Sequence, residues 1–130
     1  MQLVNLMTAA PITIGSHDIL SKAKYMMDAG RFRRLPVVDA GRLVGILTER
    51  DLREYTGHMD STRVNAAMHT ALVTVTPRNT VEDAARLMLR HKIGGLPVVA
   101  DGKLVGIVTT SDLLRAFLLV VAGASRIMNP

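Results

Sequence analysis

The chain has no cysteine and no tryptophan, and Phe and Tyr together supply only 3% of it. Without cysteine there is no disulfide framework, no thiolate metal site and no thiol nucleophile, a usage that fits a reducing compartment. So few aromatics leave a core built from Val, Leu, Ile, Met and Ala. They also remove the stacking platform on which single-stranded nucleic acid is usually held. Long apolar runs are missing too. The longest, "AFLLVVAGA" from Ala116 to Ala124, is nine residues, whereas a membrane span needs about 20. The opening "MQLVNLM" has no basic segment followed by a long apolar one, so no signal peptide is expected. These features predict a soluble, cytoplasmic protein.

Signatures of catalysis are lacking as well. There is no nucleophile elbow, no Walker A loop and no dinucleotide glycine fingerprint. His17, His58, His69 and His91 do not stand at metal-ligand spacing and read as surface histidines. The expectation is a protein that is not an enzyme, with no catalytic cofactor and no metal.

What remains is a globular balance of 48% apolar and 21% charged residues in 130 positions, with a formal charge of +5. Twelve of the 16 cations are Arg, and Arg31, Arg33 and Arg34 cluster, with Arg50 and Arg53 not far beyond. Such a cluster is either a solvated basic face or an attractor of polyanions such as nucleotide phosphates or nucleic acid.

The dominant feature is a repeat. "LPVVDAGRLVGILTERDL" from Leu35 stands over "LPVVADGKLVGIVTTSDL" from Leu96, 61 positions later. The same offset pairs Met7 with Met68, Thr13 with Thr74, Ala23 with Ala84 and Met27 with Met88. A single gapless frame is a tandem duplication, with copies expected at 1–60 and 61–130. Each copy reads as a short strand (Ile12–Ile14, Leu72–Val75), a helix, a hairpin and a second helix. Apolar residues at helical spacing mark the first helix of each, and Asn79 or Thr80 is a plausible cap in the second copy. Pro36 and Pro97 open the "LPVV" strands without costing a needed ladder bond. Asp101-Gly102 is a strong two-residue hairpin signal, and Ala40-Gly41 a weaker one. One β-α-β-β-α copy is too small to stand alone. Two copies packed sheet to sheet, with pseudo-two-fold symmetry, would bury what each leaves open, giving an α/β (α+β) fold.

Both hairpins run into Thr-x-x-Asp: Thr48 with Asp51, and Thr109 with Asp112. As local structure this is a helix-capping pattern that needs no ligand. The same geometry suits a phosphate, which a helix N-terminus and a capping hydroxyl both attract, and the carboxylate can accept the two hydroxyls of a ribose. Gly45 and Gly106 lie just upstream, where a missing side chain permits close approach of a ligand.

These two motif sets together resemble a tandem pair of CBS domains, the Bateman module, over about Leu3 to Leu118. "MQLVNLMTA" and "TTSDLLRAFLLVVAG" are most similar to the pair of acetoin-utilisation-type proteins, relatives that often carry a further C-terminal domain. The resemblance implies a regulatory module that binds adenosine-containing ligands in the clefts between the repeats and signals by a change of shape or association. Asp51 and Asp112 would meet the ribose and Thr48 and Thr109 the phosphate. Thr13, Ile14, Thr74 and Val75 would lie beside the bases, with Pro36 and Pro97 lining the clefts. AMP, ADP, ATP, S-adenosylmethionine and a dinucleotide all remain open.

The copies differ in charge. The first has Arg33-Arg34 and Arg50, the second Gly94-Gly95 and Ser111. Arg34 and Arg50 would favour polyphosphates if they face a cleft; otherwise they keep an edge soluble. The last helix is apolar nearly all round from Phe117 to Ala122 and is expected to be buried, against another subunit. Met26, Met27 and Met88 are expected in the same homodimer interface. The functional alternatives to a nucleotide sensor are a ligand-free dimerisation module and, on charge alone, a nucleic-acid binder.

Overall fold

The computed structural model describes residues 1–128, with side chains through residue 123; the last two positions of the second copy lie outside the described residues. After a 3-10 turn at Leu3–Asn5 the elements run β1 (Thr8–Ala9), α1 (Leu20–Gly30), β2 (Arg34–Asp39), β3 (Arg42–Thr48), α2 (Glu49–Arg53) and α3 (Val64–Ala67). The second copy continues with α4 (Val81–His91), β4 (Gly95–Ala100), β5 (Lys103–Thr109) and α5 (Thr110–Met128). The order is the mixed helix-and-strand alternation that the repeat predicts. The expected first strands shrink to single parallel bridges, Ile14 to Val37 and Val75 to Val98.

The chain forms two compact units, and they do not coincide with the halves of the sequence. One unit holds Met1–Ala10 with Val73–Ala100 and Val105–Pro130; the other holds Pro11–Leu72 with Asp101–Leu104. The cause is visible in the cores. Ile14, Ala23, Met27, Leu35, Val37 and Leu47 form one core, and their repeat partners Val75, Ala84, Met88, Leu96, Val98 and Val108 form the other. Leu3 and Val64 are also repeat partners, but each is buried in the body of the opposite copy: Leu3 among second-copy residues and Val64 among first-copy residues. The leading ten residues therefore complete the second copy, and the segment after Ser61 completes the first.

Backbone pairing carries this exchange. β1 pairs antiparallel with β5, Thr8 opposite Ile107 and Ala9 opposite Gly106. In the first copy an antiparallel bridge joins Ile46 of β3 to His69, with bonds of 3.0 and 2.9 Å. A Cβ on Gly45 would lie 2.5 Å from the Met68 sulfur and 3.0 Å from the His69 carbonyl oxygen. On Gly106 it would lie 2.6 Å from the Met7 sulfur and 3.0 Å from the Thr8 oxygen. The close approach at these glycines is made by the chain itself, where a ligand was expected.

Both hairpins turn on two residues with positive φ: Ala40 at 50° and Gly41 at 79°, Asp101 at 52° and Gly102 at 76°. This is the twist-matched turn that favours Asn/Asp-Gly, and Ala40 occupies it without a polar side chain. Thr80, not Asn79, caps α4 in a capping box with Asp83, while Asn79 Oδ1 accepts from Thr76 N at 2.7 Å. α1 has no side-chain cap; carbonyls of Thr62 and Met59 take its Leu20 and Ser21 N–H groups at 2.9 and 3.2 Å.

One burial expectation is corrected. Met27 and Met88 lie inside their own units, so they are not spare apolar surface. Phe117, Leu118, Leu119, Val120 and Val121, expected to meet another subunit, are exposed on α5 of the single chain. No helix among the described residues is long and apolar enough to cross a membrane.

Candidate ligand-binding site

In each copy the second hairpin strand ends at the Thr of the Thr-x-x-Asp phrase, where the chain enters a helix. Thr48 has extended backbone and caps α2, with Asp51 at the third helical position. Asp51 Oδ2 accepts from Thr48 N at 2.8 Å and from Thr48 Oγ1 at 2.9 Å, and Asp51 N donates back to Oγ1 at 3.3 Å. The second copy repeats this arrangement: Asp112 Oδ2 accepts from Thr109 N at 2.8 Å and Oγ1 at 3.1 Å, with Asp112 N to Thr109 Oγ1 at 3.4 Å. The capping reading of the phrase holds in both copies. It commits one carboxylate oxygen and leaves the other for a further partner.

That other oxygen is where the copies part. Asp51 Oδ1 accepts from His69 Nε2 at 2.7 Å; a carboxylate only accepts, so this ring nitrogen carries the proton. Asp112 Oδ1 is taken by Arg115, one turn along α5. The Asp51 side chain is 14% exposed, and that of Asp112 is 5% exposed. Sequence reasoning missed both partners. His69 had been set aside as a surface histidine, and its only signal was its place on the segment that the duplication maps onto Thr8.

Of the first-copy residues expected in a site, Thr48 bonds Asp51 directly and Arg34 stands across the hairpin from Thr48. Arg34 opens β2 directly opposite Thr48 in the β2–β3 register. Ile14 is buried and donates its N–H to the Pro36 carbonyl at 3.1 Å, with Thr13 half-buried beside it. In the second copy Val75 donates in the same way to Pro97 at 3.0 Å, with Thr74 exposed beside it. Gly45 and Gly106 instead face the flanking segments described above.

The arginines divide by environment. Arg33 and Arg53 converge on Glu49, at 3.6 and 3.4 Å, on an exposed edge. Arg50 is exposed on α2 and forms no ion pair among the described residues. Arg34 is half-buried and has no carboxylate within 4.0 Å among the described residues. Burial, and then the charge of Arg33, push its guanidinium below the ordinary arginine pKa. A cation held this way gains from any anion that reaches it.

The CBS domain family model matches residues 3–58 and 64–119. The chain belongs to the CBS domain family. It is a tandem CBS pair, and its fold is that of solved pairs. A Vibrio cholerae chain designated an acetoin utilization protein (AcuB) is 35% identical, with a TM-score of 0.85 over 97% of this chain and 96% of that one. The CBS pair of protein MJ0100, solved with 5′-methylthioadenosine and S-adenosyl-L-methionine, is 29% identical, with a TM-score of 0.83 over 90% and 95% of the two chains. CBSX2, solved with AMP, is 31% identical, with a TM-score of 0.80 over 92% and 97%.

Proposed function

We propose that this CBS pair is a non-catalytic regulatory module that binds an adenosine-containing ligand through its Thr-x-x-Asp phrases, and that the first copy takes a phosphorylated one. The observation that carries the reading is Arg34, a half-buried guanidinium with no carboxylate partner among the described residues, facing Thr48 across the hairpin. Thr48 is the N-cap of the helix that holds Asp51. A phosphate there would meet a fixed cation, while the outer oxygen of the Asp51 carboxylate can accept from a ribose hydroxyl. The adenosine ligands of CBSX2 and MJ0100 support the ligand class. The second copy has Gly95 where the first has Arg34, and the outward oxygen of its Asp112 is already on Arg115.

The test is calorimetric titration of ATP, AMP and S-adenosylmethionine into wild type and the Arg34→Ala/Arg50→Ala double mutant at two salt concentrations. ATP should bind wild type more tightly than AMP, and the preference and its salt dependence should both shrink in the mutant. S-adenosylmethionine has no phosphate and should be indifferent to the change. An unchanged ATP-to-AMP ratio would return the arginines to a solvated basic edge.

A second reading, a dimerisation module that needs no ligand, is favoured by the exposed apolar run Phe117–Val121 of α5. The two readings are compatible, since a ligand-responsive pair can also be a homodimer.

A further inference from the structure

The first copy's carboxylate is not idle in the free protein. Its inner oxygen is committed to Thr48, and its outer oxygen to His69. His69 reaches it from outside the copy's own hairpin and helices, on the segment that bridges to Ile46 of β3. Both backbone groups of His69 are tied to Ile46, so the Cα is fixed, but the ring is 60% exposed and free to rotate into solvent without moving the chain. The equivalent position in the duplication is Thr8, whose side chain makes no hydrogen bond to Asp112 among the described residues; Arg115, rooted on the same helix, holds that carboxylate instead. The same atom therefore has a swinging, externally anchored partner in one copy and a local one in the other.

We propose that His69 is a side-chain latch: a positioning residue that competes with a diol-bearing ligand for the outer oxygen of Asp51 and so sets the first copy's affinity for ribose. The inference rests on the adenosine-ligand reading above. Oδ2 already accepts two hydrogen bonds from Thr48, so a vicinal diol has to be received at Oδ1, where the imidazole N–H stands. Binding thus exchanges one charge-assisted hydrogen bond for others, and the affinity measured is reduced by whatever the latch contributes. Removing the ring removes the competitor and leaves Thr48, Asp51 and Arg34 in place.

The experiment titrates AMP and 2′,3′-dideoxy-AMP into the full chain carrying Asp112→Asn, which weakens the second copy, with and without His69→Ala. A hydrogen bond to a charged group is large enough for the His69→Ala chain to bind AMP roughly tenfold more tightly. The dideoxy analogue, which has no diol, should show no gain. His69→Gln keeps a donor near the same place and should stay close to the parent. Equal or weaker AMP binding by His69→Ala overturns the latch, and so does an equal gain for the dideoxy analogue, because the ring would then act by bulk alone. These outcomes leave the adenosine-ligand reading standing. If neither nucleotide binds the parent, His69→Ala or the chain with Asp112 intact, that reading fails and the latch with it.

Discussion

Changing each phrase's carboxylate to an amide, Asp51→Asn and Asp112→Asn, separates what the group does for folding from what it does for a ligand. Asn keeps an oxygen that can still face the Thr N–H and hydroxyl, so the capping bonds persist in neutral form. Loss of the charge near the helix N-terminus costs about 0.3–1 kcal/mol. At Asp51 the new NH₂ group faces His69, whose ring can present its unprotonated nitrogen after a change of tautomer, so the total stays near 1 kcal/mol. At Asp112 the NH₂ group meets the Arg115 guanidinium, two donors face to face in a site where the carboxylate was 5% exposed. That adds roughly another 1 kcal/mol. Asp112→Asn should therefore melt several degrees below Asp51→Asn, at about 4 °C for each kcal/mol in a domain of this size. With no Trp in the chain, far-UV circular dichroism is the appropriate probe. Ligand affinity should run the other way: Asp51→Asn lowers first-copy binding of AMP or ATP ten- to a hundredfold, the value of a charge-assisted bond. Equal melting points for the two mutants would refute the Arg115 account, and unchanged affinity in Asp51→Asn would reduce the phrase to a cap.

Three further outcomes follow from the packing. Ala40→Asn should stabilise the chain by about 1 kcal/mol in urea titration, because Ala40 holds a left-handed φ of 50° at a turn position that Asn tolerates; Asp101→Ala should cost a similar amount. The Asp39 carboxyl lies below the usual carboxylate range because Ser16 donates to it from both its hydroxyl and its backbone N–H. That contribution to stability is present above the ordinary carboxylate value of 3.8 and is lost as pH falls through Asp39's own lower value. Wild type and Asp39→Asn should thus differ at neutral pH and converge once the pH falls below Asp39's own value. Finally, Leu118→Asp and Val121→Asp alter exposed α5 residues, so each should leave the melting point of the protomer nearly intact while light scattering shows loss of a dimer. A wild-type monomer would remove α5 as an interface.

The hairpins and their Thr-x-x-Asp ends were legible because their determinants are local: β-branched runs, Gly at a turn, a cap three residues from its acid. α4 was legible for the same reason, although the choice of Thr80 over Asn79 as its cap came only from the structure. The exchange of leading segments was not. Leu3 and Val64 look alike in sequence, and nothing within three or four residues of either says that it packs on the other copy's body. That choice depends on long-range complementarity. Gly45 and Gly106 carried the only trace of it. A missing side chain in an otherwise β-branched strand signals a close approach, but not by what, and here the neighbours are Met68 with His69 and Met7 with Thr8. The helix α5 shows the same limit of a local pattern. Apolarity all round predicts burial, yet a single chain leaves Phe117 to Val121 exposed, so the pattern reports a surface to be covered, not one already covered.

The duplication also shows which half of each carboxylate answers to folding. The Oδ2 side is the same in both copies: Thr N–H and hydroxyl to one oxygen, with distances agreeing within 0.2 Å between Asp51 and Asp112. Those bonds close a capping box whose other half lets the Thr hydroxyl oxygen accept the Asp N–H of the first turn. The Oδ1 side has no part in the box, and it differs in donor, in the element that supplies the donor, and in exposure. His69 comes from a segment that the first copy borrows, whereas Arg115 belongs to the second copy's own helix. A ligand that takes the outer oxygen must therefore displace a ring standing on the borrowed segment in one copy and a guanidinium on the capped helix itself in the other. The first exchange needs only a side-chain rotation. The second would leave Asp112 with less of its charge compensation inside a nearly closed site, a larger cost per hydrogen bond. On the proposed function, the two copies built by one phrase should differ in affinity, the first filling before the second.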